Sequence, residues 1–207
     1  MNTPTFTCRD PLQAEFWDQR FGEHFTPWDK GGLPAQIQAF VALHAPMASL
    51  IPGCGNAYEV ALFAEHGWPV RAIDFSAQAI ASAQQHLQKI SPNLPEMLVQ
   101  ADFFTYTPPF ALQCIYERAF LCALPPALWP QVAARWAQLL PAQALLAGYF
   151  FIDADAEQKP KGPPFCITQQ HLNSLLDAHF VCLEDEAVTD SIAVFAGKER
   201  WQVWQRK

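Results

Sequence analysis

The apolar run Ser49-Leu50-Ile51-Pro52 breaks into Gly53-Cys54-Gly55, and a second apolar run, Val70 to Ile73, closes on Asp74 about 20 residues later, the spacing of a strand-turn-helix-strand nucleotide site. Few folds accommodate that pair. Tyr58 to His66 between them reads as a helix stopped by Gly67, so turn and acid fall on neighbouring parallel strands at one sheet edge. Backbone that passes close to an adenosyl group must bend where no Cβ intrudes, and a carboxylate at the next strand end can accept hydrogen bonds from ribose hydroxyls.

The rest of the chain continues the alternation. Leu12 to Phe25 and Pro34 to His44 have helical spacing, the first ending in the loop Thr26-Pro27-Trp28-Asp29-Lys30-Gly31-Gly32. Ser76 is a fitting N-cap for a helix whose buried face is marked by Ile80, Ala83, Leu87 and Ile90. Met97 to Val99 and Cys114 to Tyr116 read as strands running out at Asp102 and Arg118, and Leu145 to Ile152 as a fully apolar fifth. Pro125 to Leu140 is helical with Leu128, Val132, Trp136 and Leu139 inward. Thr168 caps another helix carrying Leu172, Leu175 and Leu176, with Phe180 beyond, and Val181 to Leu183 and Arg200 to Gln205 are the last strand candidates. The fold class is α/β: a doubly wound, mostly parallel seven-stranded sheet of Rossmann-like form, a single domain over 1–207, with about 1–45 forming an N-terminal helical lid. Such sheets bind ligands outside the carboxyl ends of their strands, where Gly53, Asp74, Asp102 and Arg118 all fall.

Composition removes several function classes. A net charge of −7 argues against a nucleic-acid partner. The six cysteines form no Cys-x-x-Cys pair and read as reduced thiols, the polar start at Asn2 and Thr3 lacks the form of a signal peptide, and no run approaches a membrane span, which together point to the cytoplasm. The six histidines have no spacing that gathers metal ligands. The acidic run Glu184-Asp185-Glu186 reads as a solvated strand end or turn.

Three successive strand ends thus carry a glycine turn, an acid, and an acid followed by an aromatic, Asp102-Phe103, an order that suits an adenosyl ligand lying across the edge. A nicotinamide fingerprint wants a third glycine where this chain has Tyr58, so S-adenosylmethionine is favoured over NAD. Phe16-Trp17-Asp18-Gln19-Arg20-Phe21, Thr26-Pro27-Trp28-Asp29, Ile51-Pro52-Gly53-Cys54-Gly55, Asp74, Tyr116 to Leu124 and Gly162-Pro163-Pro164-Phe165 recur in one order, and on them the chain resembles the thiopurine S-methyltransferase superfamily, which includes thiol and halide methyltransferases. The resemblance runs from about residue 12 to residue 207. It implies a cytosolic enzyme using S-adenosylmethionine, with Trp17, Phe21 and Trp28 closing over the cofactor, Gly53 and Gly55 approaching its methionine part, Asp74 holding the ribose, and Asp102 and Phe103 bordering the adenine. Arg118 stands where thiopurine enzymes carry an arginine near cofactor and acceptor, whereas Thr-Pro-Trp-Asp and Phe-Leu-Cys-Ala-Leu look like the thiol and halide branch. Two departures are the glycine-free turn Pro141-Ala142-Gln143 and the absence of a basic residue around Asp190 to Gly197 where one would help an anionic acceptor.

Methyl transfer to a soft sulfur nucleophile is an in-line displacement that asks for alignment rather than a dedicated base, so Arg118 beside the acceptor is the one candidate catalytic residue, and Phe25, Phe120, Phe151 and Phe165 are candidates for an apolar acceptor wall. Plainer roles stand beside these: Asp102 capping a turn, Arg118 pairing with a surface carboxylate, Trp17 and Trp28 packing, Cys54 a turn residue rather than a nucleophile. The expected activity is methyl transfer to the sulfur of a small-molecule thiol, sulfide or thiopurine, with halide or metalloid acceptors open. A non-catalytic S-adenosylmethionine-binding protein and an NAD-dependent oxidoreductase are the alternatives. A monomer is the expected oligomeric state.

Overall fold

A computed structural model describes residues 4–156 and 161–207. Residues 157–160, part of the expected 153–164 loop, and the start at Met1 to Thr3 lie outside the described residues. Seven strands form one sheet: β1 (Ser49–Pro52), β2 (Val70–Asp74), β3 (Leu98–Gln100), β4 (Cys114–Arg118), β5 (Leu145–Phe151), β6 (Phe180–Ala187) and β7 (Glu199–Arg206), in the order β3-β2-β1-β4-β5-β7-β6. The first five pair in parallel, whereas β7 is antiparallel to both β5 and β6. The sheet is therefore mixed: the parallel pairings of β1 to β5 agree with the expectation of a mostly parallel sheet, and β7 makes the two antiparallel ones. β7 inserts next to β5 and lets the β6–β7 pair close the sheet without a further crossover helix.

Side-chain alternation along the strands divides the core into two layers. Ile51, Ala72, Tyr116, Tyr149 and Trp201 face α2 (Ala35–Leu43), α3 (Tyr58–Glu65) and α4 (Ala77–Gln88), whereas Leu50, Ile73, Ile115, Phe150 and Trp204 face α5 (Trp129–Leu139) and α6 (Gln169–Leu176). Both caps read from sequence form: Ser76 Oγ accepts from Ala79 N at 3.1 Å and Thr168 Oγ1 from His171 N at 3.1 Å, each contributing about 1 kcal/mol. Gly67 takes the left-handed conformation after α3, at φ +73°. Gln143 reaches the same region, φ +72°, in the turn that lacks a glycine, a strained position for a residue with a Cβ.

Several local expectations shift. α4 ends at Gln88, so Ile90 lies beyond the buried stripe and is 55% exposed. The inward face of α5 is Trp129, Val132, Ala133, Trp136 and Ala137, with Leu128 before the helix and Leu139 half-buried. Glu184 to Glu186 lie inside β6, where Asp185 pairs with Arg200 at 2.5 Å and Glu184 accepts from Trp201 Nε1 at 3.2 Å. The remaining helix, α1 (Ala14–Gly22), is fastened to α4 through Asp18, whose Oδ1 accepts from Ser76 Oγ at 2.6 Å and from Gln78 N at 3.0 Å.

Candidate active site

A cleft of about 460 Å³ opens at the carboxyl ends of β1, β2 and β4, and the nine residues expected at a cofactor site line it: Trp17, Phe21, Trp28, Gly53, Gly55, Asp74, Asp102, Phe103 and Arg118. That volume is typical of a small-molecule site. The turn after β1 requires glycine on two grounds. Gly53 sits at φ +59°, and a Cβ there would lie 2.6 Å from Phe120 Cδ2; Gly55 sits at φ +51°, with the Phe21 ring 3.4 Å from where its Cβ would be. Aromatic side chains thus close on bare backbone. Cys54 between them is buried, and burial pushes its thiol well above the ordinary range, the state of a turn residue rather than a nucleophile.

Asp74 locks the turn from the neighbouring strand. Its Oδ2 accepts from Gly55 N at 3.1 Å and its Oδ1 from Ser76 N at 2.9 Å. Burial raises its pKa to about 6 against the opposing pull of those backbone bonds. Asp102 fulfils the plainer role as well, its Oδ1 accepting from Phe104 N at 2.9 Å at an exposed position on the rim, while Phe103 is buried with its ring 5.0 Å from that of Phe120. Trp17 and Trp28 stand edge to face at 5.5 Å, Trp17 Nε1 donates to Pro11 O at 2.8 Å, and Phe21 lies 6.1 Å from Trp28.

At the other end, Arg118 meets Glu59 Oε1 at 3.6 Å, donates to Gly32 O at 3.4 Å and lies 5.6 Å from the centre of the Tyr149 ring. The carboxylate partner weighed for Arg118 exists, and it is buried, at 6% exposure, rather than superficial. Burial works against the Arg118 charge, but Tyr116, Glu59, Glu199 and Tyr149 outweigh it and hold the pKa above its usual value. Glu117, pointing to the opposite face, is pushed up to about 8 by burial. Its Oε1 accepts from Phe120 N and Leu121 N, at 3.1 and 2.8 Å, and so sets the turn that presents Phe120 to Gly53.

Of the expected acceptor wall only Phe120 lines the cleft. Phe25 packs on Phe6, Phe151 on Phe195, and Phe165 over Gly162, because these three are drawn into packing elsewhere. Sequence reasoning missed Lys30, Asn56, Tyr58 and Glu59, which also line it. Lys30 pairs with Asp190 Oδ2 at 2.6 Å, so the segment that lacks a basic residue of its own receives one from the 26–32 loop. Asp29 Oδ2 accepts from Tyr58 OH at 3.1 Å and from Asn56 Nδ2, tying the same loop to the glycine turn, with Tyr58 in the third-glycine position. Among the described residues no group of three His, Cys, Asp or Glu is placed to hold a metal, no helix is long and apolar enough to cross a membrane, and all six cysteines are free.

The sheet order and edge cleft are those of the class I, S-adenosylmethionine-dependent methyltransferases. Two solved structures share the fold: the Burkholderia thailandensis 1,6-didemethyltoxoflavin-N1-methyltransferase with bound S-adenosylhomocysteine (TM-score 0.72, 15% identity, 100% of this chain and 93% of that one) and the magnesium protoporphyrin IX methyltransferase of Synechocystis PCC 6803 (TM-score 0.73, 15% identity, 96% and 100%). Within that class, the family model for thiopurine S-methyltransferase matches residues 12–207, and the chain belongs to this family. Its relatives include thiocyanate methyltransferase 1 of Brassica oleracea, 25% identical over 193 residues (92% of this chain, 84% of that protein), and the thiopurine S-methyltransferase of Pseudomonas fluorescens strain Pf0-1, 27% identical over 183 residues (80% and 82%).

Proposed function

We propose that this enzyme transfers a methyl group to the sulfur of a small-molecule thiol, sulfide or thiopurine, as a single cytoplasmic domain. The observation that carries the reading is the convergence of the left-handed glycine turn, Asp74 and Arg118 on one cleft that Trp17, Phe21, Trp28, Phe103 and Phe120 also line. When bound, S-adenosylmethionine supplies a methyl carbon made electrophilic by its sulfonium. The residues present fit that group: Gly53 and Gly55 turn the backbone at positive φ along the cleft, and Asp74 stands at the next strand end, where a carboxylate can accept from ribose hydroxyls. Asp102 and Phe103 border the adenine, and Trp17, Phe21 and Trp28, on α1 and the 26–32 loop, act as a lid that excludes water. Arg118 orients the acceptor through the donors that its protein contacts leave over. No side chain is required to remove a proton from an acceptor that arrives as thiolate, so alignment is the main contribution of the protein.

The names of the relatives, thiocyanate and thiopurine methyltransferases, support sulfur as the accepting atom. Titration calorimetry with S-adenosylhomocysteine, followed by methyl-transfer assays on sulfide, an aromatic thiol, a thiopurine, thiocyanate and iodide, tests the reading. Heat with the cofactor product and turnover of at least one thiol, sulfide or thiopurine is expected. Binding with turnover of iodide alone overturns the choice of sulfur.

A further inference from the structure

Glu59 is the buried acid of the cleft for which the reading above has no use. It stands in the first turn of α3, 5% exposed, against the sheet face to which β4 presents Tyr116 and Arg118. Residues two apart on a strand share a face, so one carboxylate beneath them meets both. Glu59 Oε1 accepts from Tyr116 OH at 3.1 Å and lies 3.6 Å from Arg118 Nη1. Tyr149, on the adjacent strand and the same face, brings its ring to 5.6 Å from the guanidinium, and Gly32 O receives Nη1 from above. Among the described residues neither Nε nor Nη2 of Arg118 has a hydrogen-bond partner, and Arg118 lines the cleft. One edge of the guanidinium is therefore held by protein while donors remain on the rest.

We propose that Glu59 is a positioning residue: it fixes Arg118 through Nη1, with Tyr116 fixing Glu59 in turn, so that the remaining donors of the guanidinium point at the acceptor. A long side chain loses several rotatable bonds when it is held still, and that cost is met in the resting protein rather than on binding. The proposal rests on the reading of Arg118 as the acceptor-orienting group.

A double-mutant cycle with Glu59→Gln and Arg118→Met tests it. Gln keeps the shape and can still accept from Tyr116, and Met keeps the packing of the stem. Glu59→Gln is expected to lower kcat/KM for the thiol acceptor about tenfold, through KM, with the Kd for S-adenosylhomocysteine changed less than about twofold, and to have no further effect once Arg118 is gone. In the ligand-free protein Arg118→Met alone is expected to lower Tm, because a buried carboxylate loses its partner, and adding Glu59→Gln to restore most of the loss. Equal effects of Glu59→Gln in both backgrounds overturn the proposal, as does an unchanged acceptor KM. If Arg118→Met does not fold, Arg118→Leu, which likewise removes the charge and every donor, replaces it in both cycles with the same expectations. The ligand-free cycle reports on the Glu59–Arg118 coupling even if no sulfur acceptor is turned over, so failure of the proposed function is distinguishable from failure of the positioning role.

Discussion

At the Gly53–Asp74 end of the cleft the contacts are made by main chain: two glycines at positive φ, two N–H groups on one carboxylate, and the Phe120 ring seated where a Cβ on residue 53 would be. At the Lys30–Arg118 end they are made by charged side chains that meet across long stretches of sequence, Lys30 with Asp190 and Arg118 with Glu59. A ligand feature common to every family member suits the first construction, since backbone shape does not change when side chains drift. The second can be re-paired by single substitutions, which suits a site where acceptors differ between relatives.

That contrast can be broken most severely at Gly53. Gly53→Ala places a Cβ into Phe120 at a φ that costs an L-residue about 1–2 kcal/mol, so affinity for S-adenosylhomocysteine, read by calorimetry, is expected to fall more than about tenfold. Unchanged affinity would mean that the turn is not what holds the ligand. Asp74→Asn comes next. Its amide can accept only one of the two backbone bonds, and a loss of about tenfold in the same measurement is expected.

A smaller effect separates folding from binding. The pKa of Asp74 is raised in the folded protein from 3.8 to about 6, so its contribution to stability is fully present below about pH 4 and lost as pH rises through about 6. Ribose binding wants the ionised form. Between about pH 7 and 5 the affinity for S-adenosylhomocysteine is expected to drop several-fold while the Asp74 contribution to ligand-free Tm rises, the latter read as the difference between wild type and Asp74→Asn. Parallel movement of the two would remove Asp74 from the ribose. Smallest of all, Lys30→Met breaks a pair whose lysine is 20% exposed and is expected to raise the acceptor KM about two- to threefold with the Kd for S-adenosylhomocysteine unchanged, by steady-state kinetics and calorimetry.

The same division explains what the sequence could and could not convey. Glycine turn, acid and strand ends are local patterns, which is why the nine residues expected at a cofactor site do meet. Ion pairs such as Lys30 with Asp190, 160 residues apart, leave no local trace. Only three residues of β6 are legible in the sequence, because the strand is exposed along nearly its whole length and no alternation marks where it continues through Glu184 to Glu186. The reversed insertion of β7 likewise depends on which strands pair rather than on any residue within it. Phe25, Phe151 and Phe165 show the converse failure: a phenylalanine near a cleft in sequence has many packing partners to choose from.

Because Asp18 on α1 accepts from both Ser76 Oγ and Gln78 N at the head of α4, lifting α1 would strip those two donors of their acceptor while the Ser76 cap on Ala79 N remains. The 26–32 loop is joined to the body through Lys30, Asp29 and Gly32, which reach Asp190, Asn56, Tyr58 and Arg118. The three aromatic residues over the cleft thus hang on two separate fastenings: Trp17 and Phe21 on that of α1, and Trp28 on that of the 26–32 loop.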